Sequence, residues 1–449
     1  MNLYNRFASK IALPFFDLIT NKKNSHYLSE LNKSQFWSAD KLHEYQNDRL
    51  KQLIAHVYAN VPFYTELFNQ NGLDPNQIKD VSDLKLLPIL TKSDIRAGIR
   101  SGKLMNKKAQ LSKLEKNNSS GSTGEPLQFF LDNDAASMKK AAAIRAWQWM
   151  GFNVGDKIFR ISPLERSRLI KRIQDYFTNT LYMQSYRMNE EEFKKISEAL
   201  VKFSPSILRS YPDPLYLLVR YMRSNKIKPP KITSINTTGS TLYEFYRDEI
   251  EEYFSCRIFD SFSCEGSAGA SQCPQSKLYH LADEYSITEI VDITGTPSTK
   301  GRLITTDLWN YATPFIRYDT QDIVELSDDP CSCGRGLNTV KHIFGRSSDI
   351  LVTPKKQYLF ANNFTGYFQN YSEVDQFQIY QKSVDHMIIR IKANESYDAS
   401  TTTSISSLMN QITGGDMVIS FDFVDEIPVA PSGKRRFLIR DESVPLDLA

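Results

Sequence analysis

Three short stretches and one scattered set of soft ligands carry residue types that can do chemistry. The first is "NNSSGSTGEPLQFF", residues 117–130. Ser119, Ser120, Gly121, Ser122, Thr123 and Gly124 combine hydroxyl donors with glycines that allow close backbone approach. Those are the requirements for wrapping a phosphate chain. The Walker pattern fails, because the spacing is wrong and Glu125 stands where the lysine belongs. Taken alone, the run fits a phosphate wrap and a Ser/Gly surface turn equally well. The second stretch, "TPFIRYDTQD" at 313–322, sets Arg317 beside a tyrosine, Asp319 and Asp322. An aspartate accepts two hydrogen bonds and so suits ribose hydroxyls; an exposed ion-paired turn accounts for the same residues. The third, "APSGKRRFL" at 430–438, presents Lys434 on a turn made by Ser432 and Gly433. A lysine there can act as a movable point charge on a transition state, or simply be solvated.

The soft ligands are Cys273 and His280, spaced C-x6-H, and Cys331 and Cys333, spaced C-x-C and followed by Gly334. Thiolate and imidazole ligands suit tetrahedral zinc, and four of them fill the shell, which makes such a site structural. The pairs lie far apart in sequence, so strands between 290 and 320 must bring them together. The alternative is four unrelated residues. Cys256 and Cys264 read as buried small hydrophobes.

The elements that must position these groups follow from periodicity. Residues 40–68 place Leu50, Leu53, Ile54 and Val57 at helical spacing, broken before Pro62. "LPILTKSDIRAG" signals a helix start near Ser93. "LQFFL" after the first loop reads as a strand, followed by a helix from about Asp134 to Met150. From 205 to 345 short apolar runs ("SILRSY", "ITSINTTG", "RIFDSF") alternate with helical stretches, the mark of an α/β domain with a largely parallel sheet. "ITEIVDI", "GRLITTDL" and "DIVEL" add an antiparallel β layer. Beyond "GRSSDIL" the pattern becomes a compact α+β module. The predicted organisation is a large domain over 1–345, helical over 1–105, and a small lid domain over 346–449.

Composition narrows the function classes. A chain of 449 residues, 41% hydrophobic and 24% charged, is expected to be soluble and to hold more than one core. A net charge of +3, with no basic stretch interleaved with aromatics, argues against nucleic acid. The odd number of cysteines, all in the C-terminal half, points to a reducing cytoplasm. No stretch is long and apolar enough to span a bilayer. The start, "MNLYNRFASKIALPFFDLI", lacks a cleavage site and is interrupted by Pro14. It is expected to pack on the protein's own core, with a peripheral, surface-lying amphipathic segment as the alternative.

In order and spacing, "SSGSTGEP", "TTGSTL" (237–242), "SFSCEG" (261–266), "RYDTQD", "GRSSDIL" and "PSGKRRF" resemble the adenylate-forming ligase superfamily. "VPFYTELF" and "LPILTKSDIR" are similar to the phenylacetate–CoA ligase family, including its capsular-polysaccharide-biosynthesis branch. The resemblance covers roughly residues 40–440. It implies ATP- and Mg²⁺-dependent conversion of a carboxylic acid to an acyl-adenylate, then transfer to an amine or a thiol such as CoA. Carried over by position, Ser119 to Gly124 would embrace phosphates, Glu265 would help hold Mg²⁺, and Asp322 would take the ribose hydroxyls. Arg346, with Arg317, would add charge near the nucleotide, and Lys434 would swing in from the lid about a hinge near Asp349. Glu125 is then expected to face solvent. The sequence departs from the family pattern at Ser240, Ser261 and Gln321, where relatives carry glutamate, tyrosine and glycine. Those departures put CoA in doubt and favour an amine acceptor. With Glu125 they also motivate an alternative, a degenerate nucleotide-binding subunit; a second alternative that the resemblance leaves open is an adenylyltransferase that releases its adenylated product.

Overall fold

The computed structural model describes residues 3–118, 127–162, 175–176, 178–184, 190–292, 294–327, 330–346, 350–355, 358–360, 364, 367–368, 370–428, 436–441 and 443–444. The periodic stretch near the N-terminus forms the helix Ala39–Asn60, whose first turn is capped by Ser38 accepting from the Lys41 N–H. Pro62 opens the next helix, Pro62–Gln70, where its missing N–H costs nothing. Leu50, Leu53, Ile54 and Val57 are all buried, as the spacing requires. Thr91 and Asp94 cap the helix Lys92–Arg100 reciprocally.

Strands β1 (Glu115–Asn118) and β2 (Gln128–Leu131) pair antiparallel on either side of residues 119–126. The helix Asn133–Trp149 follows, capped by Asp132. Its Arg145 forms a fully buried ion pair with Glu284 at 2.6 Å, and Ser34 donates to the same carboxylate.

The parallel part of the main sheet holds β3 (Ile158–Ser162), β4 (Thr180–Gln184), β5 (Ile207–Ser210), β6 (Ser234–Thr238) and β7 (Ile258–Phe262). They lie in the order β4-β3-β5-β6-β7. Helices Glu190–Phe203, Pro212–Ser224 and Glu244–Phe254 connect them, as βαβ units must. The antiparallel part holds β8 (Ala270–Gln272), β9 (Tyr279–Leu281), β10 (Ser286–Val291), β11 (Lys300–Asp307), β12 (Tyr318–Leu326) and β13 (Thr339–Arg346). These strands continue the parallel ones edge to edge, through β8 pairing with β7, so one eleven-stranded mixed sheet runs through the molecule. Leu90 exchanges main-chain hydrogen bonds with Arg317 and Asp319, which staples the helical N-terminal part to the start of β12.

A short hairpin, β14 (Ile350–Val352) with β15 (Tyr358–Phe360), leads into a separate four-stranded sheet. That sheet contains β16 (Val374–Ser383), β17 (His386–Ala393), β18 (Val418–Phe423) and β19 (Leu438–Arg440), with the helix Ala399–Thr413 between β17 and β18. Alternation puts Phe377, Ile379, Met387, Ile389 and Ile391 in its core. Phe437, just before β19, meets Tyr243 of the main domain edge-on at 5.0 Å.

The chain start corrects an expectation. Pro14 does not break it: a π-turn over Ala8–Ala12 precedes Leu13–Thr20, where the proline occupies the first turn. Asn5, Ala8 and Asp17 are buried and Leu13 packs against the core, while Tyr4, Phe7, Ile11, Phe15, Leu18 and Ile19 are exposed. The segment therefore lies on the surface with its apolar stripe outward. Among the described residues no helix is long and apolar enough to cross a membrane.

Candidate functional site

A cleft of about 800 Å³ opens over the C-terminal ends of the parallel strands, where open α/β sheets collect ligands. Its wall includes Thr238–Ser240 after β6, Ser261–Glu265 at the end of β7, Asp322 of β12, and Arg436–Leu438 leading into β19. Both sheets thus contribute to one cavity.

The turn after β6 depends on Gly239. Its φ is +92°, and a Cβ there would lie 2.6 Å from the Tyr211 ring, so no other residue fits without moving that aromatic wall. Ser240, next along, donates to the Asp213 carboxylate at 2.8 Å. Ser261 shares a hydroxyl contact with Ser271 (3.0 Å) and accepts from the Asn236 amide (2.9 Å). Beside it Asp260 accepts from Thr237 at 2.6 Å and Tyr279 at 2.9 Å; burial pushes its carboxyl up from the ordinary range. Glu265 is half-buried on the cleft wall, its main-chain carbonyl fixed by the Thr305 hydroxyl at 3.1 Å.

Asp322 is buried and lines the cleft. It sits on β12 directly across from the Arg346 backbone on β13. Just before it, Gln321 has φ +64°, the left-handed conformation a glycine would adopt, and its N–H is held by Asp319 at 2.8 Å. A non-glycine residue holds this conformation at a strain of about 1 kcal/mol. Ser119 to Gly124, Glu125, Lys434 and the Arg346 side chain lie outside the described residues.

Arg317 departs from expectation. Its guanidinium forms a two-pronged pair with Glu289, at 3.1 and 2.8 Å, and also donates to the Leu87 carbonyl. It is buried and absent from the cleft wall. The sequence separation of 28 residues hid this partner: an acid on β10, two strands away in the sheet, consumes the charge that "RYD" offers a nucleotide.

Cys273, His280, Cys331 and Cys333 converge. Their ligand atoms all lie within 4.8 Å of one another. The Cys273 and Cys331 sulfurs are 3.4 Å apart, and Cys333 Sγ lies 3.2 Å from His280 Nε2. These separations approach the tetrahedral edges set by metal–sulfur bonds of about 2.3 Å and metal–nitrogen bonds of about 2.0 Å. His280 Nδ1 faces the Leu337 carbonyl at 3.4 Å, which leaves Nε2 for a metal. Burial holds the imidazole down to about 4, so it is neutral and its lone pair is available. Strand β9 pairing with β13 is what joins the two distant pairs.

Two cleft residues escaped the sequence reading. Arg160 on β3 and Arg209 on β5 are register partners on adjacent parallel strands, and both line the cleft. The available signal was an arginine inside a buried apolar run, "SILRSY". Strand interiors do not hold such a residue without a use for it.

With this geometry in view, comparison with known proteins is informative. Residues 351–441 match the family model described as the CapK C-terminal domain. The chain is 27% identical to Protein CapK of Staphylococcus aureus over 93% of its length and 92% of that protein. It is 26% identical to a phenylacetate-coenzyme A ligase of Thermus thermophilus over 70% of its length and 72% of that protein. Among solved structures it is similar to a 2-hydroxyisobutyryl-CoA ligase in a postadenylation state, with a TM-score of 0.74 and 18% identity over 90% of this chain and 91% of that one. The amide bond synthetase McbA from Marinactinospora thermotolerans gives a TM-score of 0.53 at 14% identity, over 73% and 68% of the two chains. At those identities the structures speak for the fold.

Proposed function

We propose that this chain, an adenylate-forming ligase of the phenylacetate–CoA ligase-like kind, activates a small carboxylic acid and passes the acyl group to an amine in preference to CoA. In the first step the acid's carboxylate oxygen attacks the α-phosphorus of ATP. The new P–O bond forms as the bond to the β-phosphate bridging oxygen breaks, and pyrophosphate leaves with the electron pair. In the second, the acceptor attacks the acyl carbon, the C–O bond to AMP breaks, and the acceptor's proton passes to solvent.

The observation that carries the reading is the single cleft that gathers Thr238–Ser240, Glu265, Asp322 and Arg436–Leu438 from both sheets. In it Asp322 orients the ribose through two accepting oxygens. Ser119 to Gly124 and Arg346 take the phosphates and ribose side. Glu265 offers the hard oxygen that suits Mg²⁺, with the ATP phosphates as the other ligands; the ion supplies neutralisation of phosphate charge. Lys434 lies two residues before Arg436, and we assign it the bridging of acid carboxylate and α-phosphate by charge alone. The region from 346 onward acts as the lid, with its hinge near Asp349, so that adenylation and transfer use different lid positions. An amine acceptor is favoured by Ser240, Ser261 and Gln321, which depart from the glutamate, tyrosine and glycine of the family this chain resembles. Resemblance to the capsule branch makes a sugar acid or an amino sugar of surface polysaccharide the natural setting, in the cytoplasm.

The Cys273, His280, Cys331 and Cys333 cluster is assigned to structural zinc, since all four positions would be filled by protein. Metal analysis of the purified chain is expected to give roughly one zinc per protein, retained through activity-neutral dialysis. A content far below that would remove the assignment.

The reading is tested by product analysis with ATP, an acid panel, and either amines or CoA. The expected products are AMP, pyrophosphate and an acyl conjugate with an amine. ADP and phosphate would overturn adenylation; a stable released adenylate would identify an adenylyltransferase instead.

A further inference from the structure

Arg209 is the odd charge in the cleft. It projects from the middle of β5 beside the β6 and β7 ends that present Thr238 and Ser261. Its Nε donates to the Asn236 amide oxygen at 3.0 Å, and its guanidinium lies 4.0 Å from the centre of the Trp147 ring. Among the described residues no carboxylate pairs with it. The acids nearby are already engaged: Asp213 accepts from Ser240 and Tyr246, and Asp260 from Thr237 and Tyr279. The residue directly opposite on the adjacent strand is a second cation, Arg160, stacked 5.8 Å from the Tyr182 ring. Burial, and after it the Arg160 charge, pulls Arg209 down to about 9, which leaves it charged at neutral pH.

Placing Arg209 beside a second guanidinium with no acid among the described residues is costly unless a further anion reaches it. Elsewhere the same chain supplies the acid: Arg145 has Glu284 and Arg317 has Glu289. The planar guanidinium fork matches carboxylate and phosphate oxygens in a bidentate way, and Trp147 beneath it fixes the fork's plane.

We propose that Arg209, with Arg160 beside it, binds a second anionic group on the acid substrate, so that the acid taken is a dicarboxylate or a phosphorylated acid and not a simple aliphatic or aryl acid. The inference rests on the acid-activating reading of this cleft. One end of the substrate is the carboxylate that reacts; the other is the anion that Arg209 clamps, with the aromatic wall of Trp147 and Tyr211 between them. Arg209 is a substrate-binding residue here, with no part in the bond changes.

The test uses the full-length protein and matched acids: hexanoate against adipate and phosphonopentanoate, and phenylacetate against carboxyphenylacetate. Two readouts run in parallel, acid-dependent ATP–pyrophosphate exchange and direct calorimetric binding of the acid. Wild type is expected to prefer the dianionic member by ~100-fold or more in exchange, because a site built around a charged partner rejects the analogue that lacks it. Arg209→Met should erase that preference while keeping the wild-type melting temperature, and Arg209→Lys should restore part of it. The carboxylate and phosphonate arms decide which anion the fork prefers. Dianion binding that is lost in Arg209→Met, in a protein without exchange, would uphold the anion site and defeat the acid-activating reading. Exchange that favours the monoanionic acids, dianions that bind wild type and Arg209→Met equally, or no dianion binding at all would overturn the proposal.

Discussion

The two halves of the main sheet treat their interior-facing arginines in opposite ways: Arg317 is buried and Arg209 half-buried. In the antiparallel half Arg317 is closed off: Glu289 takes its fork, Leu87 takes a further N–H, and the group stands outside the cleft. In the parallel half Arg209 faces the cleft with an amide, an indole and a second arginine for company. The difference teaches how to tell a structural cation from a ligand-binding one. The first carries its counter-ion in the sequence; the second leaves the counter-ion to be supplied.

The contrast predicts unequal stability effects. Arg317→Met should cost about 3 kcal/mol in denaturant unfolding, near the low end for a broken buried pair because Glu289 keeps 20% exposure. Arg209→Met should leave stability near wild type, since it removes a half-buried charge that has no acid among the described residues. Equal losses in the two variants would erase the distinction.

A smaller effect concerns protons. Burial holds Asp283 and Asp307, both in the antiparallel half, up to about 6. A folded-state value raised above the usual 3.8 means that the native chain binds more protons than the unfolded one between about pH 4 and 6. Their contribution is therefore fully present at the acid end and is lost as pH rises through about 6. Asp307→Asn keeps the acceptor for the Trp309 and Asn310 N–H groups and should flatten part of that slope. Wild-type and variant curves that stay parallel from pH 4 to 7 would assign the slope to other groups.

Much of the fold was legible because its signals are local. Helical spacing at Leu50, Leu53, Ile54 and Val57, the Thr91–Asp94 cap and the alternation in β16 and β17 each follow from a few neighbouring residues. The pairing of β8 with β7, which fuses the expected β layer into one sheet, depends on contacts that no short window contains. The site divides in the same way. The cluster of Cys273, His280, Cys331 and Cys333 could be suspected from ligand type and spacing, but only the fold separates it from four unrelated residues. Arg317 misled because its partner lies on another strand, and Arg209 was missed because an arginine in a short apolar run looks like strand-end noise until its neighbours are known. At the chain start, hydrophobicity suggests core packing, but only Leu13 reaches the core and most of the apolar side chains face out.

The most direct test of the account is acid-dependent ATP–pyrophosphate exchange by wild type and Lys434→Ala over pooled carboxylic acids. The account predicts exchange in at least one pool and its loss by ~10²–10³-fold in the variant, the scale expected when a charge aimed at a developing transition state is removed. Exchange of equal rate in wild type and Lys434→Ala would contradict it.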